Sequence, residues 1–551
     1  MNSLKTLIKN GLIIDGTGAA GYKADLLINE NKIEAIGEHL EALGAEVIDA
    51  TEKIVTPGFI DIHNHADFNI YDANQAESFV MQGMTTLLVG LCGLGVAPAN
   101  KVVEDYYADF GKKALSIDPK LYPNLEACFG ALEKKGFSCN LAFLIPQGNV
   151  RACVMGLDMR PATDKELEQM KAMVRENMEA GAFGLSTGLV YPPGSATPTE
   201  ELVELSKVVA EYDGIYDSHM RNEGARILDI GMSEVIRIAR EAKIRAHISH
   251  WSVISKFKFE ELTADAIKLV QDALNEGLKI TADVVPYDDG VTSLPFVILE
   301  SWVFENFREN LTKPDTRQRI KDEIFERVFA MFLAGAPWYL KIIPKFLLKR
   351  LMLPVLGKQV RLLHTTSGKF NGKTLYEALQ TQYPKKGMLD AMLDFMRDED
   401  GGVVIRIQFK DEERSVIPLL QQPFACASSD GVLILGGNNH PRTYSAFPHV
   451  IERIVRQKNK LGLEEAVKKM TSQPASILGF PDRGVLKAGK VADVVVFDYN
   501  KIHETATLAN GNQHPEGIDY VIVNGIVTVE KGEHLGVLNG QILKHTKVSE
   551  R

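Results

Sequence analysis

Sulfur chemistry is scarce in this 551-residue chain. Its five cysteines (Cys92, Cys128, Cys139, Cys153 and Cys426) are odd in number and include no Cys-x-x-Cys pair. That excludes a disulfide framework and points to a reducing, cytoplasmic setting. Long apolar runs are also missing. No uncharged stretch reaches the roughly 20 residues that span a bilayer. The N-terminal stretch lacks the apolar core of a secretory signal and alternates like a β-hairpin. Positive charge is not in excess: the net charge is -10, without the basic footprint of a general nucleic-acid binder. Nor does a glycine-rich nucleotide fingerprint follow any strand, which weighs against an open doubly wound sheet.

What is present describes a large globular protein with 45% hydrophobic and 24% charged residues, long enough for a well-buried core. Both ends are rich in short strands. Leu4 to Ile8 and Leu12 to Ile14 flank Asn10-Gly11, a hairpin signal. Ala24 to Ile28 and Lys32 to Ile36 flank a polar turn. Ala492 to Phe497, Tyr520 to Val523 and Ile526 to Val529 supply the C-terminal strands. Neither end has enough strands to bury a sheet face alone. We therefore expect one small β-sandwich built from residues 1–57 and 477–551.

Between the ends, strand-like runs alternate with helical periodicity. The runs are Thr85 to Val89, Asn140 to Ile145, Ala182 to Ser186, Gly214 to Ser218, Arg245 to Ser249, Lys279 to Val284 and Pro423 to Ser428. Asp164 to Glu179 and Glu200 to Glu211 are among the helices. The pattern predicts an α/β fold, a (β/α)8 TIM-type barrel over 58–476. Residues 296–400, rich in helix formers, break the rhythm and are expected to form a helical insertion on the loop face.

The chemistry gathers at strand ends. In Gly58-Phe-Ile-Asp-Ile-His63-Asn64-His65 the two histidines stand at i and i+2, on the same face of an extended strand. They can share one metal. His219 ends Gly214 to His219, and His250 ends Arg245 to His250. Each alone is an ordinary polar strand end; beside His63 and His65 they look like ligands. His247 has the wrong strand parity and is left as structural. Asp430 follows a late strand and precedes Gly431. It is either a turn residue or a carboxylate that ligates and moves protons. Cys92, among Gly90, Gly93 and Gly95, is either inert filler or a thiolate ligand.

At these residues the chain resembles the N-acyl-D-amino-acid deacylase (D-aminoacylase) family of the metal-dependent amidohydrolase superfamily. The likeness runs through Gly58 to Asp67, the Cys92 loop, Gly184 to Gly194, Ser218-His-Met-Arg-Asn-Glu223 and Ile248-Ser-His250. It continues through Ser428 to Gly431, His440-Pro-Arg-Thr-Tyr444, Met470 to Ala475 and Gly517 to Gly525. The resemblance implies one tightly bound zinc on Cys92, His219 and His250, with a weaker second metal position at His63, His65 and Asp430. It implies Asp430 as general base and acid, Arg442 as the grip on the substrate carboxylate, and Tyr287 assisting. No lysine lies in Ala182 to Leu189, where many superfamily members place a bridging carboxylated lysine. The implied reaction is zinc-dependent hydrolysis of the amide bond of N-acyl-D-amino acids by an activated hydroxide. The expected partner is then a small-molecule N-acyl amino acid substrate, with no nucleic acid.

The chain also departs from the family pattern. Pro146-Gln147-Gly148 replaces a glycine-histidine pair. Asp288-Asp289-Gly290-Val291 replaces a hydroxyl-bearing stretch, leaving Thr292 or Ser293 as substitutes. Competing readings are a cyclic-amide hydrolase of the dihydroorotase or hydantoinase type, an amidase for lipophilic acyl substrates, and a non-catalytic metal scaffold. Within the insertion, residues from 296 to about 360 are expected to form a lid whose apolar face, Phe346 and Leu347 included, binds the acyl group. Trp338 to Leu356, interrupted by Pro344 and Pro354, also resembles a membrane-interfacial helix, although a lid packed on the barrel is preferred.

Overall fold

The computed structural model describes residues 5–108, 118–255, 258–333, 342–408 and 412–546. The strands forecast for the middle of the chain form within two residues of their expected limits. Ile145–Pro146, Gly184–Gly188, Ile215–His219, Arg245–Ile248, Ile280–Val284 and Ala425–Ala427 make a six-stranded parallel sheet in that order. Phe59–Asp61, Met84–Val89 and Asn140–Phe143 make a three-stranded parallel sheet. The two sheets adjoin at Leu144, whose N–H donates to Val89 O at 2.9 Å. At the opposite edge Asp430 N–H donates to His63 O (2.9 Å) and His65 N–H to Gly431 O (3.0 Å).

Nearly every residue of these strands is buried. That is why they read as continuous apolar runs rather than alternating ones. The helices between them cover the outside. Asp164–Ala180 starts in a Thr163/Glu166 capping box and ends at Gly181 in the left-handed region.

Both chain ends join one nine-stranded sheet. Val494–Phe497 pairs with Ile54–Pro57, which pairs in turn with Lys5–Ile13. Ile8, Ile13, Leu26, Ile28, Val55, Val494, Val496 and Ile522 form a core between strands from the two ends. The Asn10-Gly11 signal is corrected here. Lys5–Ile13 is a single strand with an irregular register between Ile8 and Gly11, and Asn10 sits at φ 63°. The dipeptide makes a bulge, not a hairpin. A Cβ on Gly11 would lie 2.5 Å from Val55 Cγ2, so the neighbouring strand requires glycine there. Asn524-Gly525 does turn, joining Ile518–Val523 to Ile526–Glu530 with both turn residues at positive φ.

The insertion is larger and less helical than expected. Asp289–Ser293, Val403–Gln408 and Val360–Thr365 form an antiparallel sheet. Helices Pro314–Leu333, Lys345–Gln359, Leu375–Gln382 and Met388–Asp398 accompany it. Its own apolar core includes Ile320, Ile324, Leu353, Leu362, Phe370, Leu393, Phe395 and Ile405. Pro344 caps the start of Lys345–Gln359 instead of interrupting it, and the helix continues through Pro354. Trp338 to Lys341 lie outside the described residues. Among those described, no helix is long and apolar enough to cross a membrane.

Candidate metal centre and active site

Strand ends and their following loops bring the candidate residues together. His63 and His65 leave the strand Phe59–Asp61, with ring centroids 5.5 Å apart. Cys92 sits in the loop after Met84–Val89, His219 ends its strand and His250 follows Arg245–Ile248. The Cys92 sulfur lies 3.4 Å from His63 Nε2, 3.6 Å from His219 Nδ1 and 3.5 Å from His250 Nε2. One thiol has one proton and cannot serve three ring nitrogens. Tetrahedral zinc would hold sulfur and nitrogen ligands about 3.6 Å apart, so this donor set fits the metal. Burial pushes the Cys92 thiol up, but His63 and His250 beside it hold it well below the usual thiol range. The thiolate is the form that ligates.

His63, His65 and Asp430 form a second group whose ligand atoms lie within 4.8 Å of one another. Asp430 Oδ1 stands 3.4 Å from His65 Nε2 and 3.7 Å from His63 Nε2. Its other oxygen meets Arg442 Nη2 at 2.9 Å. Burial raises the Asp430 carboxyl, yet Arg442 and the histidines hold it well below the usual carboxylate range. His63 is shared: it also groups with Cys92 and His250. The expected division into separate ligand triplets is thus less sharp in the structure.

Three of these residues hold unusual backbone. Cys92, His250 and Asp430 have φ of 53°, 31° and 47°, a region non-glycine residues enter at a cost of order 1–3 kcal/mol. Neighbours fix them. Both oxygens of Asp283 accept from His250 N–H, at 2.9 and 2.7 Å. The Cys92 loop threads between glycines: a Cβ on Gly188 would lie 2.0 Å from Cys92 O, and one on Gly148 2.5 Å from Gly93 O. The cysteine loop therefore occupies the space a side chain at 188 would need.

Several participants went unnoticed in the sequence. Glu223 Oε1 lies 3.1 Å from His250 Nδ1, and Glu223 groups with His219 and His250 as a third potential ligand set. Buried Asp283 lies 3.4 Å from His63 Nδ1 and 3.5 Å from His247 Nε2, and accepts from Ser428 Oγ at 2.7 Å. These carboxylates back the nitrogens that face away from the sulfur, the usual device for fixing a ligand imidazole. Tyr191 packs on His219 (5.0 Å between centroids) and on Phe296 of the insertion (5.3 Å). The insertion thus supplies an apolar wall beside the centre.

Tyr287 stands differently from its expected role. Its hydroxyl donates to Glu504 at 2.5 Å, and its ring packs on His449 and His440. Asp289 holds His440 at 3.1 Å and pairs with Arg406. His440 Nδ1 in turn accepts the Arg442 N–H at 3.1 Å. The Asp289 departure therefore positions the histidine beside Arg442. Buried Ser293 Oγ has no hydrogen-bond partner. Leu347 is 40% exposed, so it does not line a closed acyl groove. The side chain of Phe346 lies outside the described residues.

A mixed α/β fold that gathers histidines, a cysteine and an aspartate at its strand ends is a donor arrangement that could hold a metal, as in a metal-dependent hydrolase. Residues 46–296 and 416–529 match the amidohydrolase family; the unmatched gap coincides with most of the insertion. The chain belongs to that family, in its N-acyl-D-amino-acid deacylase (D-aminoacylase) branch. It is 30% identical to N-acyl-D-glutamate deacylase of Alcaligenes xylosoxydans xylosoxydans, over 95% of this chain and 93% of the relative. It is 29% identical to D-aminoacylase of the same organism, over 98% and 97%. A solved D-aminoacylase superposes with a TM-score of 0.79 at 27% identity, covering 98% of this chain and 99% of its own. N-acyl-D-glutamate deacylase of Bordetella bronchiseptica, solved with zinc and a phosphonate inhibitor mimicking the tetrahedral intermediate, gives 0.78 at 28%, covering 98% and 100%.

Proposed function

We propose that this chain hydrolyses the amide bond of N-acyl-D-amino acids, releasing a carboxylic acid and a free D-amino acid. One observation carries the reading: the Cys92 sulfur stands 3.4–3.6 Å from three imidazoles, with Asp430 held between His65 and Arg442 at the rim. Cys92, His219 and His250 would hold the tight zinc, and His63, His65 and Asp430 a weaker second metal. Zinc, when bound, supplies Lewis acidity and brings a water's pKa to about 7.

The chain's own residues do the rest. Asp430 accepts at a carboxylate oxygen the proton of the water whose oxygen adds to the amide carbonyl. It returns that proton to the leaving nitrogen, which departs poorly as an anion. Arg442 offers a planar fork to the substrate carboxylate while keeping Asp430 ionised. Tyr287 acts by holding His440 and the Arg442 segment in place. Tyr191 and Phe296 exclude water on the acyl side.

We also propose that the parallel strands, with Asn140–Phe143 and Ile145–Pro146 counted as one strand broken at Leu144, close as a (β/α)8 barrel, supported by the backbone bonds between residues 63–65 and 430–431. The two-ended sheet stands as a separate domain, and 296–400 forms the heart of the insertion. A cytoplasmic location is supported by five free cysteines. The cyclic-amide alternative commonly uses the bridging lysine. No lysine lies in residues 182–189 here, and a Cβ on Gly188 would lie 2.0 Å from Cys92 O.

The test is a screen of N-acetyl and longer N-acyl D- and L-amino acids, hydantoins and dihydroorotate with zinc-loaded protein. Release of D-amino acids alone is expected. Ring opening without any deacylation would overturn the reading.

A further inference from the structure

The outer face of the insertion carries a feature that amide hydrolysis does not use. In the helix Lys345–Gln359, Met352 and Leu353 are buried in the insertion core. Leu347, Leu351 and Val355 are exposed by 40%, 58% and 49%, and Ile342, just before the helix, by 69%. The spacing of four places Leu347, Leu351 and Val355 in one row along the helix. Among the described residues fifteen large apolar side chains are exposed, and four of them fall within these fourteen positions. Exposed apolar residues scattered singly need no explanation, whereas a contiguous row does.

Charge selects the occupant. The chain has a net charge of -10, yet residues 327–376 hold nine lysines and arginines and no aspartate or glutamate. A helix with a solvent-facing apolar row, set in fifty residues free of negative charge, has the two properties of an interfacial anchor. The apolar side chains enter the acyl boundary, and the cationic surroundings meet anionic headgroups. A second copy of the same face would bring like charges together, and a neutral protein partner would leave the basic bias unused. We propose that the insertion docks the enzyme on an anionic membrane surface through Ile342, Leu347, Leu351 and Val355, with the helix lying in the interface plane. No helix among the described residues is long and apolar enough to cross a membrane, so the contact is peripheral and reversible.

The experiment uses full-length protein sedimented with vesicles of phosphatidylcholine alone, or with about one-third phosphatidylglycerol. Partition onto the anionic vesicles should exceed that onto neutral ones by about tenfold or more, and should collapse when salt rises from about 0.05 to about 0.5 M. The triple variant Leu347→Ser/Leu351→Ser/Val355→Ser should cut partition by about tenfold, with unchanged circular dichroism and unchanged turnover of a soluble acetylated substrate. Leu351→Ser alone, at the most exposed helical position, should lower it measurably and serves if the triple variant folds poorly. Absent partition, equal partition onto both vesicle types, or variants that bind like the wild type would each overturn the proposal. So would a concentration-dependent rise in native mass that the triple variant abolishes while no vesicle is bound; that face would then join two copies.

Discussion

Glu223 and Asp283 are the residues whose consequences are easiest to measure. Each carboxylate faces the nitrogen of a site imidazole that points away from the Cys92 sulfur, Glu223 on His250 and Asp283 on His63. A carboxylate there fixes ring orientation and raises ligand basicity, and losing such a partner typically weakens metal binding by about 10–100-fold. Glu223→Gln keeps the shape and removes the charge. Its zinc affinity, measured by competition with a chelator, should fall within that range, and turnover should recover when zinc is supplied in excess. Unchanged affinity would show that Glu223 does not support His250. Arg442→Lys addresses the substrate. On the proposed role of Arg442, the variant should raise KM for N-acyl amino acids more than for their carboxamides, because only a carboxylate would engage the guanidinium fork. Any damage passed through Asp430 would strike both substrates equally, so the ratio isolates the carboxylate contact. His63 and His65 were legible as a candidate pair from their His-x-His spacing, whereas the family resemblance was what implied Cys92, His219 and His250 as a ligand set. Glu223 and Asp283 carry no such spacing. Asp283 left one trace, a charge inside the buried strand Ile280–Val284, where charges seldom sit without a partner.

At the scale of elements, Arg442–His449 links the site to the terminal sheet's loops. His449 ends that helix, buried, with Nδ1 2.7 Å from Glu504 and Nε2 3.0 Å from Glu412. Burial alone would lower its pKa, but the two glutamates raise it to about 9. A folded pKa above the unfolded value near 6.5 means stability that is fully present below about pH 6.5 and is lost as pH rises through about 9. The free-energy advantage of wild type over His449→Gln should be about 3 kcal/mol near pH 6 and shrink steadily to pH 10, as followed by urea unfolding at each pH. A difference independent of pH would mean that His449 is not charged in the fold. The insertion shows where sequence patterning lost its grip. Val403 to Ile407 is a β-branched run, but its partner Asp289–Ser293 lies more than a hundred residues earlier and contains no comparable pattern. The stretch between them is rich in helix formers, which hides the pairing. By contrast, the buried parallel strands were legible because burial on both faces leaves little but apolar residues.

Across the whole molecule, the question is whether the two-ended sheet and the central strands unfold together. Their junction is polar and buried. Asp493 pairs with Arg483 Nη1 at 2.6 Å, accepts from Asn524 N–H at 2.7 Å and lies 3.4 Å from Asn140 Nδ2 on the central strand Asn140–Phe143. Asn524 Nδ2 donates to Asn140 Oδ1 at 2.7 Å. One aspartate thus ties the segment before Val494–Phe497, the turn after Ile518–Val523 and a central strand into a single cluster. Asp493→Ala removes the buried counter-charge of Arg483 and leaves it only the more exposed Asp482 carboxylate at 3.4 Å, a loss of up to about 3 kcal/mol. If the junction couples the two parts, that loss should appear in both. The three tryptophans, Trp251, Trp302 and Trp338, all lie outside the terminal strands, so fluorescence follows the central part and the insertion. Amide exchange at Val494–Phe497 follows the sheet. Coincident transitions that move together in the variant are expected for one cooperative unit. If the sheet opened first while Trp251 fluorescence stayed native, the terminal strands would be an independently melting domain, and Asp493 would serve only its local packing.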